Sequence, residues 1–170
     1  MDDVKLLIAA EIPRLRRFAL SLAGDPDAAD DLVQDCLERA IRKRHLWRRY
    51  GSIRGWLYRI LYNVFLNQAS RRRKARLEVD FEEPGVTLSE PARQEQQMIC
   101  DDIVQAMRAL PGEQRAALAL TALEGFSYDE AAGVLRVPIG TLRSRIARGR
   151  ERLRELHVEP PPRVALRRVK

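Results

Sequence analysis

Apolar residues recur every three or four positions along most of this chain, and they never alternate for long. Ala29, Leu32, Val33, Cys36, Leu37, Ala40 and Ile41 form one such stripe, with Asp30, Asp31, Gln34, Asp35 and Glu38 on the opposite side. That spacing predicts an amphipathic helix. Leu6 to Leu22 carries a similar pattern, which Pro13 is expected to interrupt because it lacks a backbone donor. Trp56, Leu57, Ile60, Leu61 and Val64 predict a helix over Ile53–Gln68, running into the basic segment Arg71–Arg76. Ile99, Ile103, Val104, Met107 and Leu110 predict the next, and Glu113–Leu123 another. Ala131, Ala132, Val134 and Leu135 give a short one, and Leu142, Ile146, Leu153 and Leu156 place the last over Ile139–Leu156. With no strand pattern and no internal repeat, the expected fold class is all-α.

Turn residues divide these helices. In Gly24-Asp25-Pro26-Asp27, Asp25 suits an N-cap, Pro26 the first helical position and Asp27 the positive end of the helix dipole. Gly51-Ser52 marks a loop, Pro111-Gly112 a break, and Gly125 and Pro138 two helix ends. Ser127 and Glu130 have the spacing of a capping box. Residues 78–97 hold two prolines, a glycine, six acids and one arginine without periodicity, which reads as a flexible acidic linker. Two small helical domains are therefore expected, 1–77 and 98–157, followed by a basic, proline-rich tail at 158–170 that reads as disordered.

Charge narrows the function. Lys and Arg number 31 against 24 acids, a net charge of +7, which favours a polyanionic partner. Cys36 and Cys100 lack metal-ligand spacing, and Cys36 falls on an apolar stripe, so no metal or cofactor is expected. No leader or membrane span is legible, which points to a cytoplasmic protein without membrane insertion. His45 and His157 have no catalytic partners in the sequence and no phosphate loop is present, so neither an enzyme nor a small-molecule substrate is expected.

The last helix and the break before it have the layout of a helix-turn-helix. Seven arginines lie between Arg136 and Arg154, with Glu151 the only acid there. The apolar stripe turns Ser144, Ala147, Arg148 and Glu151 outward, with Arg143 and Arg145 on the flanks. Small residues beside guanidinium forks suit a major groove. Tyr128, at a helix start, suits either a phosphate contact or simple packing.

The first half is a second candidate. Trp47, Tyr50, Trp56, Tyr58 and Tyr62 lie among arginines, a composition that suits unstacked bases or, equally, a core. Asn63 and Asn67 are one turn apart on the stripe of Trp56 and Ile60, where two amides could hold a flipped base. Arg71, Arg72, Arg73 and Lys74 would hold phosphates, or form a solvated charge run. The acidic face of the second helix would repel DNA and suits a basic protein surface, or plain solvent.

Together these segments resemble bacterial RNA polymerase sigma factors of the extracytoplasmic-function type. DPDAADDLVQDCLERA resembles their region 2.2, IRGWLYRILYNVFLNQASRRRK regions 2.3 and 2.4, and LPGEQRAALALTALEGFSYDEAAGVLRVPIGTLRSRIARGRERL region 4. IPRLRRFALSLAG and ALEGFSYDEAA are most similar to the general-stress subgroup. The resemblance implies a factor that binds core RNA polymerase, directs it to promoter DNA, helps melt it, and is held inactive by an anti-sigma factor. It implies polymerase contacts at Asp30, Asp31, Leu32, Gln34 and Asp35. Capture of the melted −10 strand would fall to Trp47, Ile60, Asn63 and Asn67, with Arg71–Lys74 on the backbone. Reading of the −35 duplex would fall to Thr141, Arg143, Ser144, Arg145 and Arg148, with Tyr128. Ala147 and Trp47 depart from common family residues, so base preferences do not transfer. Two other functions remain open at this level: a stand-alone helix-turn-helix regulator, and a sigma-like adaptor that titrates an anti-sigma protein.

Overall fold

A computed structural model of the chain describes residues 2–47, 51–78 and 105–156. The acidic linker, the basic tail, the start of the helix expected from Met98 and the Arg48-Arg49-Tyr50 loop lie outside the described residues. Every regular element among the described residues is helical. They are α1 (Asp2–Ala23), α2 (Pro26–Arg42), a 3₁₀ turn (Arg44–Leu46), α3 (Ile53–Glu78), α4 (Gly112–Leu118) extended by a π turn (Ala119–Leu123), α5 (Tyr128–Leu135) and α6 (Ile139–Glu155). Residues 105–108 are also helical.

Local chemistry explains the boundaries. Asp25 caps α2 by accepting a hydrogen bond from the Ala28 amide at 2.9 Å, with Pro26 opening the helix. Gly24 sits at φ +73°, left-handed backbone that favours glycine, and a Cβ there would force the Arg108 side chain to shift. Ser127 and Glu130 close the capping box in both directions, at 3.2 and 2.8 Å. Between α5 and α6 the chain turns through Arg136 at φ 54°, left-handed backbone held by a non-glycine residue.

Pro13 does not interrupt the first helix; α1 runs through it unbroken. The bond it forfeits is to the carbonyl of Ala9, and both residues are exposed, so water can satisfy what the ladder loses. Leu156 is also not part of the α6 anchor: it ends the helix and is 45% exposed.

In the first half, α1, α2 and α3 pack mutually around Leu15, Phe18, Leu22, Leu32, Cys36, Leu57 and Leu61. In the second, Leu142, Ile146 and Leu153 anchor α6 on α4 and α5. Gly149 allows close approach to α4, where an added Cβ would meet Leu118 at 2.8 Å. The two helical units do not stand apart. α3 packs on α5, and α1 packs on α4 and the π turn, so one buried cluster runs through both halves.

Cys36 is fully buried and its thiol donates to the Leu57 carbonyl at 3.5 Å. Burial pushes the thiol up from 9.0 to about 12. Between those values the unfolded chain releases a proton that the folded chain keeps, so stability falls as pH rises. The expected slope is about 1.4 kcal/mol per pH unit. Urea midpoints at neutral and alkaline pH check this, and Cys36→Ala is expected to flatten the decline; equal declines in both proteins would refute the assignment.

Candidate nucleic-acid interface

α6 turns Ala147, Arg148 and Glu151 outward as its spacing predicts, whereas Ser144, expected on the same face, is partly buried. Arg143, Ala147, Arg148 and Glu151 are exposed, opposite the buried Leu142, Ile146, Gly149 and Leu153. Thr141 is partly buried at the start of the helix, and the Ser144 hydroxyl donates to its carbonyl at 2.9 Å. Arg145 differs from its neighbours. Its side chain is only 16% exposed and pairs with Glu113 at 3.0 Å, clamping α6 to the start of α4. Tyr128 opens α5 half-buried and packs against the core.

The first-half residues divide in two. Tyr58 and Tyr62 are core, at 0% and 4% exposure. Tyr58 stacks on Phe18 at 5.0 Å and meets Phe126 of the second half at 4.9 Å. Trp47 is half-buried and its indole N–H donates to the Gly51 carbonyl at 3.3 Å. Ile60 is half-buried, whereas Asn63 and Asn67 are exposed one turn apart on α3. Arg71, Arg72, Arg73 and Lys74 continue the same helix and are exposed. Trp47 lines a space of about 390 Å³ with Trp56 and Arg59 of the first half and Phe126, Glu130 and Val134 of the second. Neither asparagine lines that cavity.

On α2, Asp30, Asp31 and Gln34 are exposed, and Asp35 accepts from Gln68 at 3.2 Å. Asp30 is paired with Arg16 at 2.7 Å. Leu32 is 2% exposed, so it belongs to the core and not to this surface. Its place on the stripe with Ala29 and Cys36 already carried that signal.

The polar centre between the halves has no local signature in the sequence. Glu124, its side chain fully buried, receives Arg17 through two bonds of 2.8 and 3.0 Å and the Tyr58 hydroxyl at 2.7 Å. Arg54 lies 3.7 Å from the same carboxylate, donates to the Glu124 carbonyl, and stacks over Phe126 at 4.3 Å. The hydrogen bond to Glu124 raises the Arg17 pKa, and burial followed by the same carboxylate raises that of Tyr58. Arg115 forms a second link by donating to the carbonyls of Leu22 and, at 2.9 Å, Leu110.

Residues 8–62 match the family described as the Sigma2 domain of PhyR, and residues 100–153 match Sigma-70, region 4. The chain is 36% identical over 155 residues to the ECF RNA polymerase sigma factor EcfG of Rhodopseudomonas palustris, covering 91% of this chain and 85% of that protein. It belongs to the ECF RNA polymerase sigma factors. Within that family it is also 37% identical over 153 residues to SigE of Mycolicibacterium smegmatis, covering 88% of this chain and 59% of the relative. Among solved structures it is similar to the sigma factor RpoE of Bartonella quintana in complex with the anti-sigma factor NepR. The TM-score is 0.75 at 33% identity, covering 92% of this chain and 98% of that one. CnrH in complex with the cytosolic domain of CnrY matches with a TM-score of 0.66 at 27% identity, covering 91% of this chain and 86% of that one. Coverage of this extent takes in both halves of the ECF chain in one superposition. Among the described residues no helix is long and apolar enough to cross a membrane.

Proposed function

We propose that this ECF factor binds core RNA polymerase in the cytoplasm, brings it to promoter DNA and helps open the duplex, acting by binding and not as an enzyme. The observation that carries this reading is the α5–α6 helix-turn-helix. Arg143 and Arg148 stand exposed on a helix whose other side is buried, in a chain similar to ECF factors across both halves. Region 4 would read the −35 duplex through these arginines, with Thr141 and Ser144 beside them. Arg145 would act chiefly as the α4–α6 clamp. Asn63 and Asn67 would hold the melted strand and Arg71–Lys74 its backbone. Asp31 and Gln34, exposed on α2, would offer the acidic surface to polymerase, flanked by Asp30 and Asp35.

The similarity to RpoE bound to NepR supports an anti-sigma partner, and EcfG together with the PhyR match supports the general-stress subgroup. Domain limits of 1–77 and 98–157 fit this division. The test is transcription with purified core polymerase. A promoter-dependent transcript that appears only when the chain is added is the expected result. Absence of both polymerase binding and transcript would overturn the reading, and tight specific duplex binding without polymerase would favour a stand-alone regulator instead.

A further inference from the structure

Arg115 on α4 directs its guanidinium at backbone. It donates to the carbonyls of Leu22, of Leu110 at 2.9 Å and of Arg108 at 3.3 Å. Its Nε–H is buried without a hydrogen-bond partner among the described residues. Neutral carbonyls leave its charge uncompensated. Burial lowers its pKa, and the charge of Arg108 lowers it further. A nearby anion would oppose both effects.

A pocket of about 210 Å³ opens beside this group. Leu22 of α1, Leu32 of α2 and Phe65 of α3 give it apolar walls, while Gln68, Arg72 and Arg115 are its polar lining. No acid lines it. Asp35 accepts from Gln68 at 3.2 Å and Asp25 from the Ala28 amide at 2.9 Å, so two neighbouring acids are engaged. At about 30 Å³ per water, the space suits an organic molecule of about six or seven heavy atoms. Two guanidinium groups with no lining carboxylate call for an anion. The donors decide its type. Carbonyls hold the two terminal nitrogens of Arg115, which leaves its Nε–H beside the Arg72 fork. Those donors suit the two oxygens of a carboxylate. A phosphate carries more charge and more oxygens, and part of it would face apolar walls unpaired.

We propose that this pocket binds a short-chain organic carboxylate, with Arg72 and Arg115 on its oxygens and its alkyl stem against Leu22, Leu32 and Phe65. The apolar walls belong to the first half and Arg115 to the second, so the occupant bridges them. Binding and packing of the halves then favour each other by linkage. The site makes the packing of this chain responsive to small organic acids, a property beyond promoter recognition.

The probe is sodium butyrate, titrated into the full chain at constant ionic strength, with butyramide, sodium phosphate and sodium chloride as parallel arms. Assigned arginine Nε–H signals in proton–nitrogen correlation spectra report the contact. Butyrate is expected to shift the Arg115 signal saturably, with a dissociation constant in the millimolar range, and the other three arms are not. Ala69 lines the pocket from an exposed position on α3, so Ala69→Leu should fill the space while suiting the helix. It is expected to weaken butyrate binding about tenfold or more, and Arg72→Gln by about tenfold. Neither substitution removes a buried side chain, so both proteins should keep wild-type helicity. Linkage is followed in urea. Both tryptophans, Trp47 and Trp56, lie in the first half, so their fluorescence reports that half, while helicity reports both. Butyrate at about ten times its dissociation constant should raise both wild-type midpoints by about 0.5 M over chloride, and leave those of Ala69→Leu in place. The proposal is overturned by any of four results: no saturable shift at Arg115, equal binding of phosphate or butyramide, unchanged butyrate affinity in either variant, or wild-type midpoints that do not move. None of these readouts involves polymerase or a promoter, so their failure is distinct from failure of the promoter-recognition reading.

Discussion

Replacing Arg143 and Arg148 together by alanine is expected to weaken binding of the polymerase complex to a −35 duplex by about a hundredfold or more. Both side chains stand on the exposed face of α6, and a good arginine contact to a base edge is worth about 1–3 kcal/mol. Alanine favours the helix, and the anchors Leu142, Ile146 and Leu153 remain, so the loss should not come from unfolding. Start-site mapping in a reconstituted assay, with helicity as the folding control, measures it. Unchanged start-site choice would remove α6 as the reading element. Arg145→Ala makes the contrast, since its guanidinium is spent on Glu113 and its loss should appear mainly as looser packing of α6 on α4.

Phe18→Ala is expected to cost about 3–5 kcal/mol, enough to threaten the folding of the first half. Phe18 is fully buried where α1 meets α3, and its ring supports Tyr58, which in turn supports both Phe126 and the Glu124 carboxylate. The damage should therefore reach past one core into the contact between halves. The urea midpoint followed by tryptophan fluorescence measures this. Leu6→Ala, at a site 67% exposed, should shift the midpoint little. Similar shifts for the two variants would contradict the packing described.

Helix positions were legible because each depends on neighbours in sequence. The cap at Asp25, the capping box at Ser127 and the stripe of α6 all act within one turn, so spacing alone discloses them. Pro13 misled because its effect depends on exposure: on an exposed face the lost bond is recovered by water, and α1 continues. Tyr58 and Tyr62 could be read as core or as stacking platforms, and only packing from α1 and the second half decides for the core. Glu124 was invisible for a stronger reason. It follows a helix C-terminus, where the dipole disfavours an acid, and it is compensated by Arg17, 107 positions away in sequence. No local pattern encodes that partner. Arg145 looked like its neighbours in sequence, and only its pairing with Glu113 sets it apart.

The unbroken course of α3 has a mechanical consequence. From Trp56 past Lys74 there is no hinge, so amides and cations turn together like teeth on one shaft. Each residue added or lost between Asn67 and Arg71 would swing the cationic end by about 100° relative to the amides. Evolution can therefore lengthen this shaft in whole turns far more readily than by single residues.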